Sequence, residues 1–291
     1  MSPQRTALSG FLRSCRARVD PAELGLPDTG RRRVPGLRRE ELARLAGVSV
    51  DYCTRLEQGR STTASAEVLD ALAGALRLND AERSHLFDLA RPGPERKRRP
   101  KPQRVAPATL DLVRSLDQVC SPAFVLGRRL DVLAHNRIAA ALITDFNALP
   151  AQRRNQARFV FFDPHAPELY ADWDAVAADT VAMLRLDAGR NPDDPKLSAL
   201  IGELSIHSEK FRRCWSDNKV HLRTTGTKGY HHPLVGDLTV RYQALTPNGD
   251  PDQSVYVYTT EPGSSSEAAM HLLSRLTSEG SECTAEQPTP G

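Results

Sequence analysis

The sequence predicts a multidomain chain in which an all-α N-terminal domain is followed by an α+β C-terminal domain with an antiparallel sheet. Three observations predict it. Apolar residues recur at helical spacing through the first 90 residues, with no strand pattern among them. A stretch of proline and cationic residues over 91–104 then offers almost nothing to bury and reads as an extended, semi-rigid linker. Beyond it, short apolar runs bounded by turn residues stand at both ends of a helical stretch, the arrangement of an α+β unit. The expected boundaries are a domain over 1–90, a linker over 91–107, a second domain over 108–278 and a disordered polar tail over 279–291.

In the first domain, Leu8, Phe11, Leu12, Cys15 and Val19 form one amphipathic helical face. Residues 21–36 are rich in Pro and Gly and read as a loop. Residues 37–46 form a strong helix that ends at Gly47, and a second helix opens at Ser49 and closes at Gly59. A last pair covers 65–76 and 80–89, with Ser65 and Asp80 as expected N-caps.

In the second domain, the runs 124–126 and 131–135 flank Gly127 and predict a hairpin. Residues 137–146 read as helix, and 158–162 as either a strand or a buried helical turn. Two helices are expected over 172–188 and 196–215, on apolar faces carried by Val176, Val181 and Leu184 and by Leu197, Leu200, Ile201 and Leu204. Three strands follow over 220–225, 238–245 and 254–260, joined by turns at 226–229 and 247–250, and a helix over 266–277 closes the domain.

The 291 residues suit two domains, and the 40% hydrophobic and 26% charged content is that of ordinary globular chains. There is no apolar run of membrane-spanning length and no signal-peptide pattern, so a cytoplasmic protein without membrane contact is expected. Five scattered cysteines without CxxC spacing argue against a disulfide framework or a cysteine zinc site. Charge is unevenly distributed. Residues 1–105 hold 21 Lys+Arg against 13 Asp+Glu, a net +8, and the remainder is net −5. A basic N-terminal third suggests a polyanionic partner for that part alone.

Residues 40–59 sharpen that suggestion into a helix-turn-helix. Ala43 is the small residue where two helices cross, and Gly47 tolerates positive φ in the turn. Cys53 and Leu56 pin the second helix from behind, with Leu42, Ala46 and Val48 completing the core. In such a motif the start of the second helix enters the major groove of double-stranded DNA. Ser49, Val50, Asp51, Tyr52 and Arg55 are the expected contacts, Arg55 first, because arginine to guanine is the commonest specific pair. Arg38, Arg39 and Arg60 should meet phosphates, with the run 31–33 as a further basic loop. Glu57 would repel phosphate if it faced outward, so it is expected to turn inward and pair with Arg16.

These residues resemble the Cro/C1-type (XRE) helix-turn-helix family at Leu42, Ala43, Gly47, Leu56, Glu57 and Gly59. Stretches 30–43 and 48–59, with 122–127, 131–134, 169–173, 192–195, 202–205, 232–236, 250–253 and 261–263, are similar to the MmyB-like transcriptional regulators over about residues 8–275. The resemblance implies transcriptional regulation and a PAS-like second domain that takes a fatty-acid-like ligand. The chain departs from the family pattern at Cys53, Ala64, His135 and Asn218.

An acyl chain needs an apolar tunnel with a polar end. His135, Phe146, Arg158, Phe159, Phe162, Trp173, Trp215, His232 and Tyr242 are the candidate ligand-binding residues, with Arg158, His232 and Tyr242 as partners for a carboxylate head. Phe161 and Phe211 belong to the same aromatic-rich stretch. No metal or other cofactor is expected: His207, His221, His231 and His232 lack ligand spacing. No GxSxG or GxxxxGK[ST] occurs either, so no enzymatic activity is expected. The reading is a DNA-binding regulator, expected as a homodimer. The alternative makes the second domain a protein-interaction or dimerisation module without a small molecule.

Overall fold

The computed structural model describes residues 3–26, 36–58, 60, 64–90, 102–217 and 224–282. The basic run 31–33, Gly59, most of the expected linker, Asn218, His221, Cys283 and the end of the tail lie outside them. Two compact units emerge: residues 1–99 with 181–222, and residues 100–180 with 223–291. The expected division was contiguous, whereas this grouping assigns 181–222 to the helical unit. The helix Trp173–Arg190 contributes residues to both units.

The first unit opens with α1 (Pro3–Arg18), α2 (Arg39–Leu45), α3 (Val50–Glu57), α4 (Ala66–Ala75) and α5 (Asp80–Ala90). Every expected helix is present, with a short 3-10 turn at Ala22–Leu24 inside the loop. The helices share one core, in which Leu8, Phe11, Leu12, Cys15, Leu42, Ala43, Cys53, Leu56, Leu69, Leu72 and Leu86 are each at most 2% exposed. Leu186 joins that core, which is one physical reason why its segment groups with this unit. Side-chain caps match the sequence at Ser49 and Ser65, which accept from the backbone N–H of Tyr52 and Val68. At α5 the cap is Asn79 rather than Asp80. Its Oδ1 accepts from Glu82 N at 2.9 Å, and Glu82 Oε2 accepts from Asn79 N at 3.1 Å, a reciprocal capping box.

The second unit begins with α6 (Pro107–Ser115), β1 (Ala123–Leu126) and β2 (Val132–His135). Then come α7 (Arg137–Leu142), α8 (Gln156–Phe162), α9 (Ala166–Leu169) and the long α10 (Trp173–Arg190). Residues 158–162, left open between strand and helix, are therefore helical, with Asn155 as N-cap. The single helix expected over 196–215 is two, α11 (Pro195–His207) and α12 (Glu209–Ser216). Ser208 breaks the run with an extended backbone and caps the second piece through Phe211 N.

The sheet is completed by β3 (Thr225–His232), β4 (Gly236–Leu245) and β5 (Ser254–Thr259), and α13 (Ser265–Glu282) closes the chain. All five strands pair antiparallel in the order β2-β1-β5-β4-β3. Two expectations fail here. Residues 226–229, read as a turn, lie inside β3, because their glycines serve close packing rather than reversal. A Cβ on Gly226 would stand 2.8 Å from the Tyr242 ring, and one on Gly229 would stand 2.9 Å from Ala171. The closing helix runs through Glu282, past the point where the tail was expected to start.

The sheet buries both faces at β1 and β5, while on β4 residues 237, 239, 241, 243 and 245 leave one face exposed. At β1 and β5 one face meets Val113 of α6 through Ala123, Val125 and Val255. The other carries Phe124, Tyr256, Tyr258, Tyr242 and Tyr230.

Candidate nucleic-acid interface and ligand-binding face

The turn between α2 and α3 is built as its residues require. Gly47 takes φ +64°, and Val48 N donates to Ala43 O at 2.9 Å. Cys53, Leu56 and Glu57 are buried on one side of α3. Ser49, Val50, Asp51, Arg55 and Gln58 are exposed on the other. Tyr52 differs from expectation in part: it is half-buried and packs against the bundle core. Gln58 belongs to the exposed face and was not singled out from sequence.

Glu57 turns inward as expected, at 3% exposure. Its Oε1 accepts from Arg16 Nε at 2.6 Å, and Ser9 Oγ donates to its backbone carbonyl. Arg16 also donates to Leu37 O at 2.6 Å, which ties α1 to the entry of α2. Gly36 makes that approach feasible, since a Cβ there would meet Arg16 O at 2.3 Å. The network has a member that sequence reasoning missed: Arg39 Nε is 2.6 Å from Glu57 Oε2, although Arg39 stays half-exposed. Arg38 is half-buried, its backbone N–H donating to Glu41 Oε2 at 2.7 Å, and Arg60 is exposed. Arg55 pairs with Asp51 one turn earlier, at 3.2 Å, both well exposed. Such a pair contributes little stability and leaves both groups accessible to solvent.

In the second unit the candidate residues part company. Phe146 and Phe159 join a continuous series of ring contacts. His135 lies 6.2 Å from Phe146, Phe146 5.9 Å from Phe159, Phe159 6.3 Å from Tyr170, and Tyr170 5.3 Å from Tyr230. The series continues through Tyr258 to Phe124 and Tyr242, and Phe124 stacks on Tyr256 at 5.3 Å. Of the expected residues, His135, Phe146, Phe159 and Tyr242 are thus brought together. Trp173 is half-buried, its indole N–H donating to Val160 O at 2.9 Å. Phe162 is exposed at the end of α8. Arg158 is half-buried on α8, where Asn155 caps its backbone N–H. Trp215 groups with the other unit, stacked on Phe211 at 5.4 Å under the Arg185 guanidinium.

His232 is buried, and both ring nitrogens are committed to backbone. Leu234 N donates to Nδ1 at 3.2 Å, which places the proton on Nε2, 3.0 Å from Ala141 O. A ring held this way anchors β3 to α7 and has no donor left for a carboxylate.

Sequence reasoning missed Lys228 and the tyrosines of β3 and β5. Residues 226, 228 and 230 alternate inward along β3, a signal hidden by reading 226–229 as a turn. The Lys228 ammonium lies 5.1 Å from the Tyr242 ring and 6.0 Å from that of Tyr258. Burial lowers its pKa to about 8, while Asp179 pulls it back up. Burial also raises Tyr170 and Tyr256 to about 12 and pushes Tyr230 and Tyr258 well above the ordinary phenol value. All four stay protonated hydroxyls in the physiological range. Among the described residues no cluster of His, Cys, Asp or Glu has the makings of a metal site, and no helix is long and apolar enough to cross a membrane.

A buried-backed helix following a glycine turn, presented on a five-helix bundle, defines a helix-turn-helix module, here in one chain with an α+β unit on an antiparallel sheet. Residues 7–86 match a helix-turn-helix domain family, and residues 105–273 match the MmyB-like transcription regulator ligand binding domain. The chain belongs to the MmyB-like transcription regulators, and it is a DNA-binding transcription regulator. No curated protein matches it.

Proposed function

We propose that the chain binds operator DNA sequence-specifically by laying α3 in the major groove, and that its domain over 108–278 is a PAS-like sensor for a fatty-acid-like ligand. The observation that carries the DNA reading is the division of α3. Its one acidic residue near the C-terminus, Glu57, is buried and paired with Arg16, while Ser49, Val50, Asp51, Arg55 and Gln58 face outward. Arg55 leaves Asp51 to read a guanine, and Arg38, Arg39 and Arg60 hold phosphates around it. The protein acts as a homodimer on two half-sites about one helical turn apart. For the ligand to regulate, it must bind the DNA-competent and DNA-incompetent states with different affinity.

Selection of duplexes from a randomised pool with the full chain, followed by binding across a salt series, tests this. Enrichment of a two-fold-related motif with a steep salt dependence supports the reading. A pool that stays random after repeated rounds at low salt overturns it.

A further inference from the structure

We propose that Lys228 is the head-group site of the ligand-binding face and that it selects amphiphiles ending in a single carboxylate. The inference rests on the proposed acyl-binding role of this unit and adds the chemistry of the recognised end.

Three observations converge on it. Lys228 is half-buried on the inward side of β3, across from Val240, with its ammonium 5.1 Å from the Tyr242 ring and 6.0 Å from that of Tyr258. Among the described residues it forms no ion pair. Asp179 on α10 attracts it from a distance, and the lowered pKa agrees with a cation that lacks a close counter-charge. On the same face, two positions along the strand, the Tyr230 hydroxyl is buried with the residue only 1% exposed, and the Tyr258 hydroxyl is its hydrogen-bonding neighbour, so among the described residues the pair shares its protons with no further acceptor.

A carboxylate supplies what this arrangement lacks. One oxygen accepts from the Lys228 ammonium and an oxygen accepts from the Tyr230–Tyr258 hydroxyl pair, while the aromatic series from Phe124 to Phe146 offers apolar contact to a chain. A phosphate dianion fits worse, because Asp179 would repel its second charge. A neutral alcohol leaves the ammonium without a counter-charge. Arg158 and His232, the cations singled out from sequence, serve this end less well. His232 is bound to backbone on both nitrogens, and Arg158 is not among the groups acting on Lys228.

The test is titration of the full-length chain with dodecanoate and with 1-dodecanol, for wild type, K228M and K228R. Charge-assisted hydrogen bonds give about a ten- to hundredfold preference for the acid in wild type. K228M should lose that preference while binding the alcohol as before, which also shows that its apolar face is intact, and K228R should retain part of it. Equal affinity of wild type for acid and alcohol, or an unchanged preference in K228M, overturns the head-group assignment while leaving the acyl reading standing. Loss of both ligands in K228M would make Lys228 a structural residue and overturn the assignment likewise. If wild type binds neither compound, the acyl reading itself falls, and the assignment with it.

Discussion

Replacing Glu57 by alanine tests whether the recognition helix is held by an ion-pair network rather than by apolar packing alone. The Glu57 side chain is 2% exposed and that of Arg16 is 11% exposed, with 2.6 Å between their nearest charged atoms. Removing the carboxylate leaves the Arg16 guanidinium buried opposite nothing but the Leu37 carbonyl. Breaking a buried pair by taking away one partner costs about 3–5 kcal/mol. The Arg39 bond, on a side chain 46% exposed, adds at most about 1 kcal/mol after solvent screening. Against a domain stability of about 5–15 kcal/mol, this is a large fraction. Hydrogen exchange on the full chain reads it locally: amides of α1, α2 and α3 in E57A should open at lower free energy by that amount, while those of β4 and β5 stay unchanged. A second variant isolates the cause. R16M together with E57M removes both charges and should recover most of the loss, since apolar replacement of a whole buried pair is often neutral. A loss below about 1 kcal/mol in E57A, or a double variant no better than the single one, would refute a buried network.

Four further outcomes follow from the same structure. R55A should relax specificity at one base position of the selected operator and cost about 1–3 kcal/mol there; equal discrimination by wild type and variant at every position would remove Arg55 from base reading. R39A should weaken binding to all duplexes alike and lower the salt slope by about 1, and an unaltered slope would contradict a phosphate role. His85 is buried, in edge-to-face contact with Phe11 at 5.0 Å, and burial together with Arg185 and Arg190 lowers its pKa to about 3. The unfolded chain therefore binds a proton below about pH 6.5 that the folded chain refuses, so stability falls by about 1.4 kcal/mol per pH unit as pH drops from there toward 3. H85F should flatten that part of the pH–stability curve, and identical acid sensitivity of the two proteins would be the contrary result. G226A should drive a methyl group against the Tyr242 ring and destabilise the β3–β4 pair by about 1–3 kcal/mol, seen as faster exchange at β3 amides; unchanged exchange would show that the ring moves aside freely.

The helix-turn-helix was legible because its determinants are local. A positive-φ glycine, a serine cap and two buried residues one turn apart all lie within 12 residues, and even the inward turn of Glu57 followed from its charge alone. What the sequence hid depends on distant partners. Glycine at 226 and 229 carries the same local signal in a turn as in a strand, and only Tyr242 and Ala171, far along the chain, decide between them. That misreading concealed Lys228, whose inward direction follows from strand alternation once β3 is recognised. Ser208 inside an apolar helical period gave no visible stop, because a serine in a helix and a serine capping the next one look alike without the backbone. Trp215 was placed with the ligand residues for its ring, yet its stacking on Phe211 and its neighbour Arg185 set it in the other unit.

The central claim is that α3 is the element that reads DNA. Hydrogen exchange of the full chain with and without a selected duplex measures it most directly. New protection concentrated on residues 49–58, with a lesser effect at Arg38 and Arg39, is the predicted result. A duplex that binds tightly and leaves the α3 amides unchanged while protecting another surface would contradict the account.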